Sequence, residues 1–242
     1  MGKHLRLQTI AMTIVLSMLS AFTLFAQRHQ DCRCNQECLC ANGCVCYLNA
    51  GHACNCKHNH SHGTAGENIF LQMMDTMMTA MDAVPLGASA EGNFLRQMIP
   101  HHQGAIEMAK YEIANGTNRE MIQLAKSIFT EQQGEISEMN AMLALYPLKQ
   151  GEQPSPEYKK AMDDAMMKMM MNTPSDKDLK GKSTDCAFAM VMLPHHQAAV
   201  DMATALLKFS PQGEVATYAA RIISDQQIEI QQMTEFVKQN CK

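Results

Sequence analysis

Apolar residues recur three and four apart over four stretches of this chain, the spacing that gathers side chains on one face of an α-helix. In 68–82 the stripe is Met73, Met74, Met77, Met78 and Met81, and in 157–171 it is Met162, Met166, Met167, Met169, Met170 and Met171. In 117–146 it runs Ile122, Ala125, Phe129, Gln132, Ile136, Met139 and Leu143, and in 211–238 Gln226 sits between Ile222 and Ile230. Two longer helical segments lie between these stretches. Ser89 and Asp185 stand where a side chain caps a helix N-terminus, and a Gly/Pro-rich connector at 147–156 separates the halves. The pattern predicts an all-α fold.

The two longer segments are copies of one unit. Met98-Ile-Pro-His-His-Gln-Gly-Ala-Ile-Glu-Met-Ala109 returns ninety-four residues later as Met192-Leu-Pro-His-His-Gln-Ala-Ala-Val-Asp-Met-Ala203. The same offset, without a gap, lays Glu120 on Glu214, Ala125 on Ala219, Ile128 on Ile222, Gln132-Gln133 on Gln226-Gln227, Glu135-Ile136 on Glu229-Ile230 and Met139 on Met233. The Met-rich helices echo one another too, Met74 with Met162, Met78 with Met166 and Met81 with Met169. We therefore expect one domain over 67–242, with repeat one at 67–146 and repeat two at 157–240. Pro100 and Pro194 immediately precede the His pairs. Each either kinks a helix that runs through it or opens one.

Helical geometry then groups donors. Met98 shares a face with His101 and His102, with Met108 one to two turns beyond; Met192, His195, His196 and Met202 repeat the arrangement. Imidazole nitrogen and thioether sulfur together suit copper, silver or zinc far better than magnesium or calcium, which take oxygen. A methionine stripe alone is ordinary core packing. Here Met, Pro, His, His and Gln recur as a set while neighbours change, Tyr111 against Ala205 and Leu124 against Tyr218, which points to a site. Thioethers also stay unprotonated at any biological pH and bind Cu(I) or Ag(I) without releasing a proton. Gln132 and Gln226 interrupt apolar stripes, and a buried amide needs partners. We expect Gln132 to orient His101 or His102, and Gln226 to orient His195 or His196.

Composition sharpens this picture. There are 23 Met, no Trp and 5% aromatic residues in 242, so the core must be aliphatic and Met-packed, which favours helices over a sheet sandwich. Residues 1–26 place Lys3 and Arg6 ahead of an apolar run ending near Ala26. This reads as a secretory signal peptide, with an uncleaved anchor as the alternative. Removing it leaves 18 Lys and Arg against 24 Asp and Glu, an acidic balance that argues against nucleic acid.

Residues 27–66 are different in kind. Cys32, Cys34, Cys38, Cys40, Cys44, Cys46, Cys54 and Cys56 form four Cys-x-Cys pairs, followed by His58, His60 and His62. With almost no large apolar residue, the segment cannot build a core of its own and is expected to be disordered. Two readings stand: a disulfide knot, or thiolates paired to clamp a soft ion. The pattern resembles the Cys-x-Cys runs of metallothioneins. Cys186 and Cys241 read as buried small residues or as a pair of their own.

From about Glu91 to Phe236 the chain resembles the domain of unknown function 305 family, on the strength of the doubled Met98–Ala109 motif and both Gln-Gln segments. The resemblance implies a ferritin-like four-helix bundle and, through the family's CopM-like members, periplasmic copper or silver binding linked to copper resistance. It implies Met98, His101, His102, Met108, Met192, His195, His196 and Met202 as ligands, and places the Cys-x-Cys segment outside the family domain. The function expected is sequestration of copper in an exported protein, with a copper efflux or chaperone protein as a conceivable recipient. The competing classes are a di-iron oxidase, which would need Glu-x-x-His pairs the chain lacks, and a Met-faced interaction module.

Overall fold

The structure, a computed structural model, describes residues 68–242; the predicted signal peptide and the Cys-x-Cys segment lie outside them. The described residues form an all-α helical bundle. Its helices are α1 (Ile69–Asp82), α2 (Ala90–Asn115), α3 (Arg119–Leu143), α4 (Pro156–Asn172), α5 (Asp176–Leu179), α6 (Thr184–Phe209) and α7 (Glu214–Asn240). Most starts are fixed by a side chain that accepts from an otherwise orphaned backbone N–H. Asn68, Ser89, Asn118, Ser155 and Ser183 play this part for α1, α2, α3, α4 and α6. Both α2 and α6 run unbroken through Pro100 and Pro194, so neither begins at its proline.

Two details differ from the sequence reading. The cap of α6 is Ser183, which accepts from the Cys186 N–H at 3.2 Å, and Asp185 is thereby released for another task. The four-residue helix α5 was not expected; a reciprocal capping box between Ser175 and Asp178 closes it.

Helices α2 and α3 pack as one hairpin and α6 and α7 as another, α2 lies along α6, and α1 and α4 cover α2 and α6 respectively. The central pair is antiparallel, because each N-terminus reaches the loop after the other's C-terminus. Asp185 accepts from the Thr117 N–H at 2.9 Å, the Thr117 hydroxyl at 3.0 Å and the Asn118 N–H at 2.7 Å. At the opposite end Glu91 accepts from the Ser210 hydroxyl at 2.6 Å. Beside Asp185, the buried Glu112 carboxyl is pushed up to about 8 by burial and by the hydrogen bond and charge of Asp185. It therefore holds its proton at neutral pH, beside an ionised Asp185. Cys186 and Cys241 form a disulfide with Cα atoms 5.5 Å apart, tying the start of α6 to the end of α7. Closing the 55-residue separation contributes about 4 kcal/mol by loop entropy.

The methionines divide by face. Met74, Met77 and Met81 of α1 and Met162, Met166 and Met169 of α4 enter the core, while Met167, Met170 and Met171 are 58%, 61% and 80% exposed. Helix α1 lies close on α2 because position 104 is glycine. A Cβ there would sit 2.7 Å from Met77 Cγ and 2.9 Å from Met77 Cβ and Sδ, whereas one on Gly134 of α3 would meet nothing. Gly104→Ala should therefore destabilise the fold by about 1–3 kcal/mol, and Gly134→Ala should stabilise it by about 0.5–1 kcal/mol. Urea unfolding measures both; equal effects would contradict the close α1–α2 contact.

Candidate metal centre

Each central helix carries its donors inward. Met98, His101, His102 and Met108 of α2, and Met192, His195, His196 and Met202 of α6, are all 0% exposed. The four rings form a row across the α2–α6 contact. Ring centroids are 6.1 Å apart from His102 to His101, 3.9 Å from His101 to His195 and 5.8 Å from His195 to His196. Small residues on the same two helices, among them Ala105, Ala109, Ala199 and Ala203, are fully buried.

The row ends on carboxylates. His196 Nε2 lies 2.9 Å from Glu229 Oε2 in a hydrogen bond. His102 Nε2 lies 2.8 Å from Glu135 Oε2, close enough for an ion pair but without hydrogen-bond alignment. In the middle, His195 Nε2 is 3.2 Å from the His101 carbonyl. A carbonyl or carboxylate oxygen only accepts here, so Nε2 of His195 and of His196 carries the hydrogen. On His195, which burial keeps neutral, Nδ1 then keeps its lone pair. Nδ1 of His195 and of His196 are buried without a partner, as are Nδ1 of His102 and both ring nitrogens of His101.

Burial holds the pKa of His101 and His195 well below the ordinary histidine value, and neighbouring imidazoles push in the same direction. These two rings are thus neutral near pH 7 and their lone pairs free of protons. Among the described residues no three or more His, Cys, Asp or Glu side chains converge as a metal cluster. The same two helices also bury the thioethers of Met98, Met108, Met192 and Met202. Nitrogen and sulfur donors suit a soft ion better than magnesium or calcium, which take oxygen.

Gln132 and Gln226 are 1% and 2% exposed, yet no hydrogen bond joins either to a histidine. Both amide atoms of Gln132 and Oε1 of Gln226 lack partners. The groups that meet His102 and His196 are Glu135 and Glu229, three residues further along the same helices. The repeat already aligned these two glutamates, but a charged residue beside an apolar stripe reads as surface unless its partner is known. The Cys-x-Cys cysteines and His58, His60 and His62 lie outside the described residues.

Since His101 and His195 are neutral in the fold and titrate normally when unfolded, the unfolded chain binds more protons below the ordinary histidine value of 6.5. Their contribution is complete above that value and is lost as pH falls through it toward the depressed folded pKa. The urea midpoint of the metal-free protein should accordingly drop more between about pH 7 and about pH 5 than that of a His101→Gln/His195→Gln variant. Parallel pH profiles would contradict the neutral buried pair.

Several known proteins are similar to this chain. CopM in silver-bound and Cu(I)-bound forms is 28% and 27% identical, covers 62% of this chain and 95% and 96% of its own, and superposes with TM-scores of 0.47 and 0.46. A DUF305 fragment from Deinococcus radiodurans is 26% identical over 64% of this chain and 99% of that one, with a TM-score of 0.46. The uncharacterized protein L153 of Acanthamoeba polyphaga mimivirus is 44% identical over 50 residues, 21% of this chain. The chain spans 33% of the length of that curated relative. The family described as domain of unknown function (DUF305) matches residues 22–143 and 146–237, a wider span than the motif predicted and one that takes in the Cys-x-Cys segment. Matched over most of its length, in two stretches that between them contain both His pairs, the chain belongs to the DUF305 family.

Proposed function

We propose that the protein is an exported, non-enzymatic binder that sequesters copper, with silver as an alternative cargo, and so contributes to copper resistance. One observation carries this reading: unpartnered imidazole nitrogens in a fully buried row, on two helices that also bury the thioethers of Met98, Met108, Met192 and Met202. An unpartnered buried polar group is unfavourable by roughly 1–3 kcal/mol, and hydrocarbon would pack the same space without that penalty. The ligands are Met98, His101, His102, Met108, Met192, His195, His196 and Met202. Glu135 and Glu229 orient His102 and His196 from behind, as carboxylates do for metal-bound histidines. Zinc would accept the nitrogens but gains less from thioether sulfur.

The four long helices fit a ferritin-like bundle of two repeated hairpins, with α1 and α4 as the Met-rich additions. Export rests on the Lys3 and Arg6 leader pattern and agrees with the Cys186–Cys241 disulfide, a bond of oxidising compartments. Cys32 to Cys56 with His58, His60 and His62 add a thiol-rich store, from which or from the bundle the metal passes to an efflux or chaperone protein.

Anaerobic titration with Cu(I) against a chromophoric competitor tests the bundle site. The full chain with all four row histidines changed to Gln should bind fewer equivalents than the parent and lose metal-induced thermal stabilisation. Unchanged stoichiometry and unchanged stabilisation would overturn the reading.

A further inference from the structure

The row is sealed from solvent, so an ion needs a way in, and the two carboxylates that end the row share one surface feature. Helices α3 and α7 part to leave a groove of about 800 Å³ lined by both Glu135 and Glu229. Six carboxylates and one cation, Arg221, line it among the described residues. Arg221 is already committed: it pairs with Glu138 and lies 4.8 Å from the Tyr218 ring centroid. The groove is left strongly negative. At its floor Glu135 and Glu229 are 8% and 6% exposed, and each turns Oε2 to a histidine while Glu229 Oε1 is buried without a partner. Asp225 lies close enough that burial, then the charges of Glu135 and Glu229, hold its pKa up. A second hollow, of about 600 Å³, touches neither end of the row.

Resting on the copper reading above, we propose that the α3–α7 groove is the entry port for the metal cation, with Glu135 and Glu229 passing it inward to the row at its two ends. The lining attracts a cation, and the want of a converged carboxylate cluster keeps the attraction transient. Each floor carboxylate touches both groove and ring, which makes it a stepping stone between water and the thioether–imidazole core. Once the ion is inside, the same two carboxylates supply its countercharge. No covalent or redox step is involved; a cation exchanges water for carboxylate oxygen and then for nitrogen and sulfur.

The test is stopped-flow loading of the full-length chain with Ag(I) nitrate, the eight cysteines between 32 and 56 replaced by serine so that the signal reports the bundle. Glu120→Gln/Glu131→Gln/Asp225→Asn alters the lining without touching a histidine. It should slow loading about tenfold at low ionic strength, converge with the parent rate in high salt, and leave equilibrium stoichiometry unchanged. Glu135→Gln/Glu229→Gln should slow loading at every salt concentration. Asp163→Asn/Asp164→Asn, on the exposed face of α4, should have no effect. Normal stoichiometry with a loading rate indifferent to all groove substitutions would overturn the port while leaving the copper site standing. Ag(I) binding that is indifferent to loss of the four row histidines would instead overturn the site itself, and the port with it.

Discussion

Four imidazoles packed into the contact between α2 and α6 constrain everything around them. Histidine is tolerated in a core only when neutral or paired, and here both solutions are used in sequence along the row. His101 and His195, in the middle, are kept neutral by burial; His102 and His196, at the ends, meet glutamates from α3 and α7. The consequence is structural as well as chemical. Each hairpin must bring its second helix to a fixed height on the first so that a carboxylate meets a ring, and the two hairpins must meet where His195 reaches the His101 carbonyl.

The ends of the central pair are secured by the same kind of exchange. Asp185 holds the turn after α2 through Thr117 and Asn118, and Glu91 holds the residue after α6 through Ser210. Each of these acids also sits in the first turn of its own helix, where negative charge is favoured. The halves are nonetheless not identical. Gly104 admits Met77 against α2, whereas its counterpart is Ala198; His196 is hydrogen-bonded to its glutamate while His102 only approaches Glu135. A donor row that is alike at both ends but not equal can hold an ion off-centre, nearer one half than the other.

Much of this was legible in the residues themselves. Helical periodicity located α1, α3, α4 and α7 within a few residues, and the ninety-four-residue offset singled out the two buried His pairs. What the pattern could not supply was the partner of each buried polar group, since that depends on which helix faces which. Gln132 and Gln226 were rightly placed inside, but their neighbours Glu135 and Glu229 make the contacts. Asp185 suited a cap until Ser183 took it, and for Cys186 and Cys241, 55 residues apart, the choice between buried residues and a pair was decided only once α6 and α7 were laid side by side. Half of the α4 methionines face outward because six in ten residues cover more of the helix circumference than one face can bury.

The most direct test of the central claim is to watch the ring nitrogens themselves. Nitrogen-15 NMR of histidine-labelled protein, recorded before and after addition of Ag(I), distinguishes Nδ1 from Nε2 and shows a one-bond coupling where silver attaches. On the proposed reading, Nδ1 of His196 takes up silver while its Nε2 stays hydrogen-bonded to Glu229. If the row histidines keep their metal-free spectra in protein that has bound silver elsewhere, the buried imidazoles are not its ligands.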